Sequence, residues 1–430
     1  MYVRFPTVIV SMLGVLVALL TSSLAALALF ELLLLLACVS DAALAPSPRK
    51  LTFQREAAAS TRVHTALEQT FILSNTSGRR MRGQWRDAWP PSAAVTPSRH
   101  SFDLAPGASI TTTSTITPLR RGTRKSEHVT VRIRGPLGLA GRQHSRPTLW
   151  EVRVLPPFTS RRHLPARVAQ LRELEGRALL LTRGQGTEFD SLREYVAGDD
   201  VRAIDWRSTA RLGTTVVRTW RPERDRRVII VTDSGRGGAL RIGENPAFDA
   251  YIETSLLMAA LAGRAGDRVH VITLDAHVRS VLTDSRGTRI INRLGEAFAD
   301  VEPSLDATDW QLAASEIDRF TRQRSLVVLL TTVGLSSISD GLLDILPKLS
   351  LRHTVLIGSV QRAKADLSPT PSESALQAFQ TAADARSELE TTAVIRSIQQ
   401  LGATVVQADA DELPPAIADA YIELKAHGKL

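Results

Sequence analysis

The alternation of hydrophobic and polar residues changes along the chain, and each change predicts a different kind of structure. Residues 7–39 are almost wholly apolar, as is typical of membrane-spanning helices, which need about 20 apolar residues each. Between residues 50 and 157, short stretches rich in β-branched residues alternate with turn residues and predict strands. After Val228, apolar strand patterns alternate with helical patterns, which predicts a parallel sheet covered by helices on both faces. The predicted fold is therefore multidomain, with an N-terminal transmembrane hairpin, a β-sandwich of Ig-like type and an α/β domain of Rossmann type.

The apolar stretch is too long for one untilted span, and the polar residues Thr21-Ser22-Ser23 near its middle favour a turn. We expect two short antiparallel helices, at roughly 6–20 and 24–39, within a membrane segment that covers residues 1–45. Basic residues flank the pair on both sides, namely Arg4, Arg49 and Lys50. Because basic flanks stay on the cytoplasmic side, we expect a multi-pass plasma-membrane protein whose soluble domains lie in the cytoplasm.

Other interpretations of this segment stay open. A single long, tilted helix would export the rest of the chain, and Ala43-Leu44-Ala45 resembles a signal-peptidase site. The apolar stretch exceeds a secretory core of about 7–15 residues, and Pro46 after the site disfavours cleavage. Glu31 in the second predicted helix is a functional candidate, because ionisable residues are costly in a membrane. The simpler alternative is that Glu31 is protonated or faces a helix partner.

The middle of the chain is predicted to contain a sandwich followed by an ordered, charged connection. We assign residues 46–157 to the sandwich, as a spacer or interaction module without a catalytic grouping. Residues 184–223 are dense in charge but hold many large rings, which a disordered linker would not. Apolar residues at near-helical spacing predict a preceding helix that packs on the next domain: Leu164, Val168, Leu171 and Leu174. Residues 158–225 are thus a linker helix and a signature segment.

The order of residues in the signature segment resembles that of a bacterial family, the domain-of-unknown-function family 58. The residues that carry the resemblance are Gly184, Gly186, Glu188, Phe189, Leu192, Arg193, Tyr195, Gly198, Asp199, Asp200, Ile204, Asp205, Trp206, Ala210 and Arg211. Members of that family are often encoded beside MoxR-type AAA+ ATPases. The resemblance implies such an ATPase as a partner and a von Willebrand factor A-like (VWA-like) domain at residues 226–430. Three further stretches resemble family landmarks, 120–122, 136–139 and 419–425.

The acids of the signature segment allow two interpretations. Asp199, Asp200 and Asp205 offer the oxygen ligands that a hard cation such as Mg²⁺ prefers. Alternatively, they cap turns and pair with the arginines of the segment, because arginine forks bind carboxylates at two points. Acids and arginines are matched in number here, which favours ion pairs with Arg193, Arg202, Arg207 and Arg211. We expect Trp206 to be an anchor in a hydrophobic pocket.

A second candidate site follows the first predicted strand of the α/β domain. A VWA-like domain often holds Mg²⁺ through an Asp-x-Ser-x-Ser loop, a threonine and a later aspartate. Here Asp233-Ser234-Gly235-Arg236-Gly237 keeps the first acid, but both hydroxyl positions are glycine, and Thr331-Thr332 stands where the later aspartate would. Because Mg²⁺ needs near-octahedral oxygen ligands, we predict no tight metal site and expect Asp233 to pair with Arg236 or cap the following helix. A weak, degenerate site stays open, built from Asp233, Ser234 and a hydroxyl such as Thr308 or Thr332.

Composition narrows the remaining function classes. The net charge of +9 fits contact with anionic lipid, whereas no zinc spacing, basic helix or aromatic RNA-binding motif supports nucleic-acid binding. Cys38, the single cysteine, excludes an intramolecular disulfide and a cysteine metal site. Ser234 lacks the Gly-x-Ser-x-Gly elbow of a nucleophilic serine. We therefore predict no catalytic residues and no cofactor.

The leading hypothesis is a non-enzymatic, membrane-anchored adaptor or scaffold that binds proteins, with a MoxR-type ATPase, in envelope protein assembly or maturation. One alternative is a metal-dependent hydrolase that uses Asp199, Asp200, Asp205 or Asp233. The other is a purely structural membrane protein. The sequence names neither a client protein nor an oligomeric state.

Overall fold

The computed structural model describes residues 1–181, 188–221, 226–285, 289–334, 340–361 and 375–428. Its contacts divide the chain into two compact units, Met1–Pro157 and Phe158–Leu430.

The first unit begins with two apolar helices, α1 (Phe5–Thr21) and α2 (Leu24–Leu44). Between them, Ser22 adopts a left-handed conformation with φ of 49° and the Ser23 hydroxyl accepts the Ala26 N–H, so the turn lies at the predicted polar residues. α2 continues past the expected end at residue 39. Among the described residues, the stretch Leu24–Lys50 is long and apolar enough to cross a membrane, whereas α1 is a shorter apolar helix.

Small and polar side chains set the packing of α1 on α2. A Cβ atom on Gly14 would lie 2.3 Å from the Phe30 ring, so glycine is what permits this close approach. The Ser11 hydroxyl donates to Glu31 Oε1 at 2.8 Å. Glu31 therefore faces a helix partner within the chain, in line with the simpler interpretation of this residue.

The rest of the first unit is built from strands that form two sheets. The strands are β1 (Tyr2–Val3), β2 (Leu51–Ala57), β3 (Ser60–Arg62), β4 (Leu67–Asn75), β5 (Met81–Asp87), β6 (Val95–Thr96), β7 (Arg99–Leu104), β8 (Ser109–Ile116), β9 (Gly122–Arg134) and β10 (Ala140–Leu155). One sheet has the order β1-β10-β9-β5-β7, with β3 also on β10, and the other has the order β2-β4-β8-β6. Phe71 and Trp85, from opposite sheets, lie 4.5 Å apart between ring centroids in the shared core. The sandwich prediction is thus confirmed in outline, although β3 pairs with β10 in parallel rather than antiparallel.

A buried carboxylate joins α2 to the sandwich. Asp41 is fully buried near the end of α2. It accepts hydrogen bonds of 2.7–2.9 Å from three backbone N–H groups at the β9–β10 turn, those of Leu137, Leu139 and Ala140. Arg142 of β10 donates in return to two carbonyl groups at the end of α2, which have no partner within the helix. The landmark at 136–139 is therefore the turn that fixes the apolar hairpin.

The second unit alternates helices and strands. Its helices are α3 (Leu164–Leu181), α4 (Trp206–Leu212), α5 (Arg236–Ala239), α6 (Ala247–Arg264), α7 (Ile290–Ala299), α8 (Trp310–Phe320), α9 (Leu342–Arg352), α10 (Ala375–Gln400) and α11 (Leu413–Ala426). Its strands are β11 (Glu188–Glu194), β12 (Val216–Arg221), β13 (Arg227–Asp233), β14 (Arg241–Ile242), β15 (Asn245–Pro246), β16 (Arg268–Leu274), β17 (Val278–Ser285), β18 (Leu326–Leu330), β19 (Thr354–Val360) and β20 (Thr404–Ala408).

The main sheet has the order β17-β16-β13-β18-β19-β20. All its pairs are parallel except β16 with β17. Alternate residues of the central strand point to opposite layers: Val228 and Ile230 pack with α6 and α11, while Ile229 and Val231 pack with α8 and α9. The predicted α/β domain with helices on both faces is thus confirmed. The sequence patterns missed the edge strand β17 and the helices α7 and α8.

Contacts of α3 and α11 explain two further sequence features. Leu164 and Leu171 of α3 are buried in the core on the α6 side, as their helical spacing predicts. In α11, the Tyr421 hydroxyl donates to the buried carboxylate of Asp267, and Lys425 Nζ lies 3.3 Å from the same group. The landmark at 419–425 therefore fastens α11 to the turn before β16.

Candidate functional site

The carboxyl ends of the parallel strands form the edge of the sheet where ligands of open α/β sheets bind. Asp233 ends β13 at this edge and is buried. Its Oδ1 atom accepts the Gly235 N–H at 2.8 Å and the Thr308 hydroxyl at 2.6 Å. Its Oδ2 atom accepts the Thr331 hydroxyl at 2.5 Å. One carboxylate thus connects the loop after β13, the approach to α8 and the end of β18.

Of the two hydroxyls named for the degenerate site, one lies against Asp233 and the other does not. Thr308 contacts Asp233, but the second hydroxyl is that of Thr331 and not that of Thr332. Thr332 Oγ1 donates instead to the Gly237 carbonyl oxygen at 2.8 Å, and the Tyr251 hydroxyl lies 2.8 Å from it. Consecutive residues after a strand point to opposite sides, so the two threonines contact different parts of the loop.

Ser234, another residue of the predicted degenerate site, donates no hydrogen bond to Asp233 among the contacts that the structure describes. Its backbone N–H donates to the Leu274 carbonyl oxygen at 2.8 Å. Its hydroxyl is buried and has no hydrogen-bond partner among the residues that the structure describes. Ser234 therefore joins β13 to β16 through its backbone alone.

The glycines of the loop are required by close approach to Asp233. A Cβ atom on Gly235 would lie 2.4 Å from Thr308 Oγ1 and 2.7 Å from the Asp306 carbonyl oxygen. A Cβ atom on Gly237 would lie 2.4 Å from Asp233 Oδ2. The serines that a VWA-like metal loop carries at these positions would not fit unless Thr308, the Asp306 carbonyl group and the Asp233 carboxylate moved.

The expected pairing of Asp233 with Arg236 is wrong. The Arg236 guanidinium contacts Asp340 through two nitrogen atoms, with Nε at 3.1 Å from Oδ2. The alternative expectation, that Asp233 caps the following helix, is not met either: its Oδ1 atom accepts the N–H of Gly235, which precedes α5, and no side chain caps that helix. The Arg236 side chain points toward solvent and is 43% exposed, whereas Asp233 is buried behind the loop.

Burial is the largest influence on the pKa of Asp233 and raises it, while the bonds from Thr308, Thr331 and Gly235 oppose this shift. As a magnesium site, the cluster supplies one carboxylate and two hydroxyls, and both hydroxyls already donate to that carboxylate. Mg²⁺ requires near-ideal octahedral oxygen geometry. In the described ranges, no group of three His, Cys, Asp or Glu residues is placed to hold a metal ion. The residues as arranged do not fit a tight Mg²⁺ site.

The signature segment folds as a hairpin of β11 and β12 with the short helix α4 beside it. Arg193 donates two hydrogen bonds to the Asp199 carboxylate, from Nη1 to Oδ2 at 2.7 Å and from Nη2 to Oδ1 at 2.6 Å, as predicted. This bond and the Val196 N–H lower the pKa of Asp199 to about 2. Asp200 accepts the backbone N–H of Arg202 rather than its guanidinium.

Asp205 is the N-cap residue of α4, and the arginine that pairs with it is not one of those predicted. It accepts the Ser208 N–H at 2.9 Å and the guanidinium of Arg218 at 2.7 Å, and both contacts lower its pKa. Arg218 had not been predicted as a partner. Arg207 and Arg211 make no ion pair with the residues that the structure describes. The acids thus act as caps and ion-pair partners within the segment. Arg193 of β11 pairs with Asp199 in the loop that follows, and Arg218 of β12 pairs with Asp205 before α4.

The prediction of Trp206 as a buried anchor is wrong, because 68% of this residue is exposed. Among the residues of the segment whose burial the structure describes, the buried apolar ones are Val216 and Val217 of β12. Two consecutive β-branched residues favour a strand, and this pattern in the sequence could have indicated where the segment is buried.

The remaining signature residues have simpler positions. Tyr195 donates its N–H to the Thr215 carbonyl oxygen, Gly198 has a φ of 110° that favours glycine, and Arg211 is exposed. Glu188 and Phe189 pair with β12 through the β11 backbone. Gly184 and Gly186 lie outside the described residues.

Comparisons with known proteins place the second unit in a family context. Residues 191–404 match the model of a family described as "Protein of unknown function DUF58". No curated protein matches the chain. The solved structures similar to the chain include the SpRpn10 VWA domain, at 13% identity over 46% of this chain and 96% of that one, with a TM-score of 0.30. They also include the CARDB domain of a Pyrococcus furiosus protein, at 14% identity over 24% and 94%, with a TM-score of 0.19.

Proposed function

This chain belongs to the DUF58 family, and from that premise we propose that it is a non-enzymatic adaptor, anchored in a membrane by its N-terminal helices. The observation that carries the proposal is the arrangement at Asp233. Both carboxylate oxygens of this residue accept hydrogen bonds from the protein itself. Three of the about four acceptor positions of this buried carboxylate are thus used within the protein, which favours a role in organising the loops over binding of a substrate or a metal ion.

The surroundings of Asp233 support protein binding at the same edge. Leu305, three residues before Thr308, is 85% exposed. Arg236 and its partner Asp340 add an ion pair beside it. Arginine is enriched in protein interfaces relative to the rest of the surface, and here it lies beside an exposed apolar side chain. We propose that this rim, defined as Leu305, Arg236 and Asp340, contacts protein partners.

The hydrolase alternative has less support. Asp199 and Asp205 are engaged by arginines and backbone N–H groups of their own hairpin. A metal-dependent hydrolase needs several free carboxylates or imidazoles around one ion. The donor groups of the signature segment and the sheet edge, as described, do not supply such a set.

By resemblance to the family, we propose a MoxR-type AAA+ ATPase as one partner, with a role in envelope protein assembly or maturation. The test places a photo-crosslinking amino acid at Leu305 in the full-length chain, expressed in cells that make the ATPase. A matched control carries the same group at Ser315, an exposed residue of α8.

We expect crosslinking to the ATPase from position 305 and not from position 315. Loss of the crosslink in Arg236→Ala would place the ion pair in the interface. Recovery of no AAA+ ATPase from either position, with co-expression confirmed, would count against the partner. Equal recovery from both positions would reject the rim as the contact.

A further inference from the structure

The signature segment presents a basic and aromatic surface on α4. The side chains of Trp206, Arg207, Ala210 and Arg211 are exposed on this helix, and Arg202 is exposed in the short turn 201–203 before it. We call these five residues the α4 face. Because the helix repeats every 3.6 residues, positions 206, 207, 210 and 211 lie on one side. Trp206 is 68% exposed, an unusual state for so large a ring.

The α4 face carries positive charge that the neighbouring acids do not neutralise. Asp199 is held by Arg193, and Asp205 is held by Arg218 and the start of the helix. Arg202, Arg207 and Arg211 make no ion pair within the described parts of the chain. The fold therefore engages Asp199 and Asp205 in caps and ion pairs, leaves Asp200 exposed beside Arg202, and leaves three arginines exposed on α4 and just before it.

Exposed apolar residues border this face. Val201 is 61% exposed and Leu212 is 59% exposed, at either end of the stretch. A tryptophan with a polar edge and flanking arginines is the side-chain chemistry that partitions to the headgroup region of a bilayer. Arginine forks bind phosphate oxygens at two points, and anionic headgroups attract basic residues that lie near the surface.

We propose that the α4 face docks on an anionic lipid surface. The proposal rests on the proposed membrane anchor, because an anchored chain keeps the bilayer at a high effective concentration for the second unit. It also rests on charge complementarity between anionic headgroups and three arginines that make no ion pair among the described residues. Docking would hold the signature segment at the membrane while the sheet edge at Asp233 stays free for proteins.

The test uses the full-length chain in nanodiscs with one spin label. Cys38, the single cysteine, is replaced by serine, and Ala210→Cys introduces the labelled position on the α4 face. Ser315→Cys on the exposed side of α8 is the matched control. Collisions of the label with oxygen and with a water-soluble nickel chelate report its depth in phosphatidylcholine discs and in discs that also contain phosphatidylglycerol.

We expect the label at position 210 to lose contact with the nickel chelate in anionic discs only, and to regain it at high salt, which screens surface charge. The label at position 315 should not change. Since each arginine near an anionic surface favours docking about fivefold, the triple variant Arg202→Gln, Arg207→Gln, Arg211→Gln should reduce the docked fraction relative to the free one by roughly a hundredfold. Replacement of the same residues by lysine should retain most of the docking.

Equal nickel contact in both kinds of disc, or docking that survives in the triple glutamine variant, would overturn the proposal. Protection of position 210 by added polyglutamate, without protection by anionic lipid, would assign the face to an acidic protein instead. A chain that does not stay with the disc would remove the membrane anchor, and the docking proposal with it. The crosslinking experiment at Leu305 has a separate readout, so its failure leaves this one standing.

Discussion

Trp206 shows that the identity of a side chain does not set its burial. Large rings are mostly buried, which is why a sequence rich in aromatics predicts anchors. The helix that carries Trp206 is one of the shortest in the chain and begins at the cap formed by Asp205. Its inner side is taken by Ser208 and Thr209, so the ring is left outside.

A first prediction at the residue scale follows from this exposure. Trp206→Ala should change the free energy of unfolding by less than about 0.5 kcal/mol, as is usual for surface substitutions. The matched substitution Trp310→Ala, at a fully buried ring of α8, should cost about 3–5 kcal/mol. Urea unfolding of the purified chain, followed by circular dichroism, makes the comparison. Unfolding of the Trp206 variant would favour the purely structural interpretation.

A second prediction concerns Asp199. Its pKa is about 2 because Arg193 and the Val196 N–H stabilise the charged form, against an ordinary value of about 3.9 in an unfolded chain. A depressed pKa means that the stabilisation is fully present above the unfolded value and is lost as pH falls toward 2. Carboxyl NMR titration should show the low pKa. Arg193→Gln should return it toward the ordinary value, and Arg207→Gln should leave it unchanged.

A third prediction concerns Asp233 and metal ions. Calorimetric titration with Mg²⁺ or Mn²⁺ should show no tight binding to the chain or to Asp233→Ala. Restoring serine in Gly235→Ser with Gly237→Ser should not create a site, since the added Cβ atoms would collide with Thr308 Oγ1 and Asp233 Oδ2. Tight binding by the parent chain that disappears in Asp233→Ala would establish a metal site and revive the hydrolase hypothesis.

At the scale of elements, hydrophobic periodicity located most helices and strands, but it missed some that carry polar sequence. β17, Val278–Ser285, contains Arg279, Ser280, Thr283, Asp284 and Ser285, so its alternation is weak. α8 was missed although Asp309 forms a helix cap by accepting the Leu312 N–H. Such edge and surface elements bury only one side, and their patterns are short.

The junction between α2 and the sandwich gives the prediction at this scale. Asp41→Ala would leave the buried N–H groups of the β9–β10 turn without an acceptor, at about 1–3 kcal/mol for each group. We expect the free energy of unfolding of the first unit to fall by at least about 3 kcal/mol. Hydrogen exchange at Leu137, Leu139 and Ala140 should accelerate. Ser40→Ala, at an exposed neighbouring position of α2, is the control and should leave exchange unchanged.

At the scale of the whole molecule, the number of membrane spans decides on which side the soluble units lie. If α1 and α2 both span, a reporter fused after Leu430 that requires the cytoplasm should be active. Deletion of α1, residues 5–21, would leave one span and should move the reporter to the other side. Activity of a periplasmic reporter on the undeleted chain would reject the hairpin and support a single tilted helix.

Residue patterns were enough to predict the main strands and helices and the place of Asp233 at the end of a buried strand, although they missed β17, α7 and α8. These features depend on the periodicity of neighbouring residues, which is a local property. The tertiary structure alone decided that Thr308 and Thr331 bond to Asp233, that Asp41 holds a turn almost a hundred positions away, and that Trp206 stays outside. Each of these depends on which distant segments meet, and no local pattern encodes that meeting.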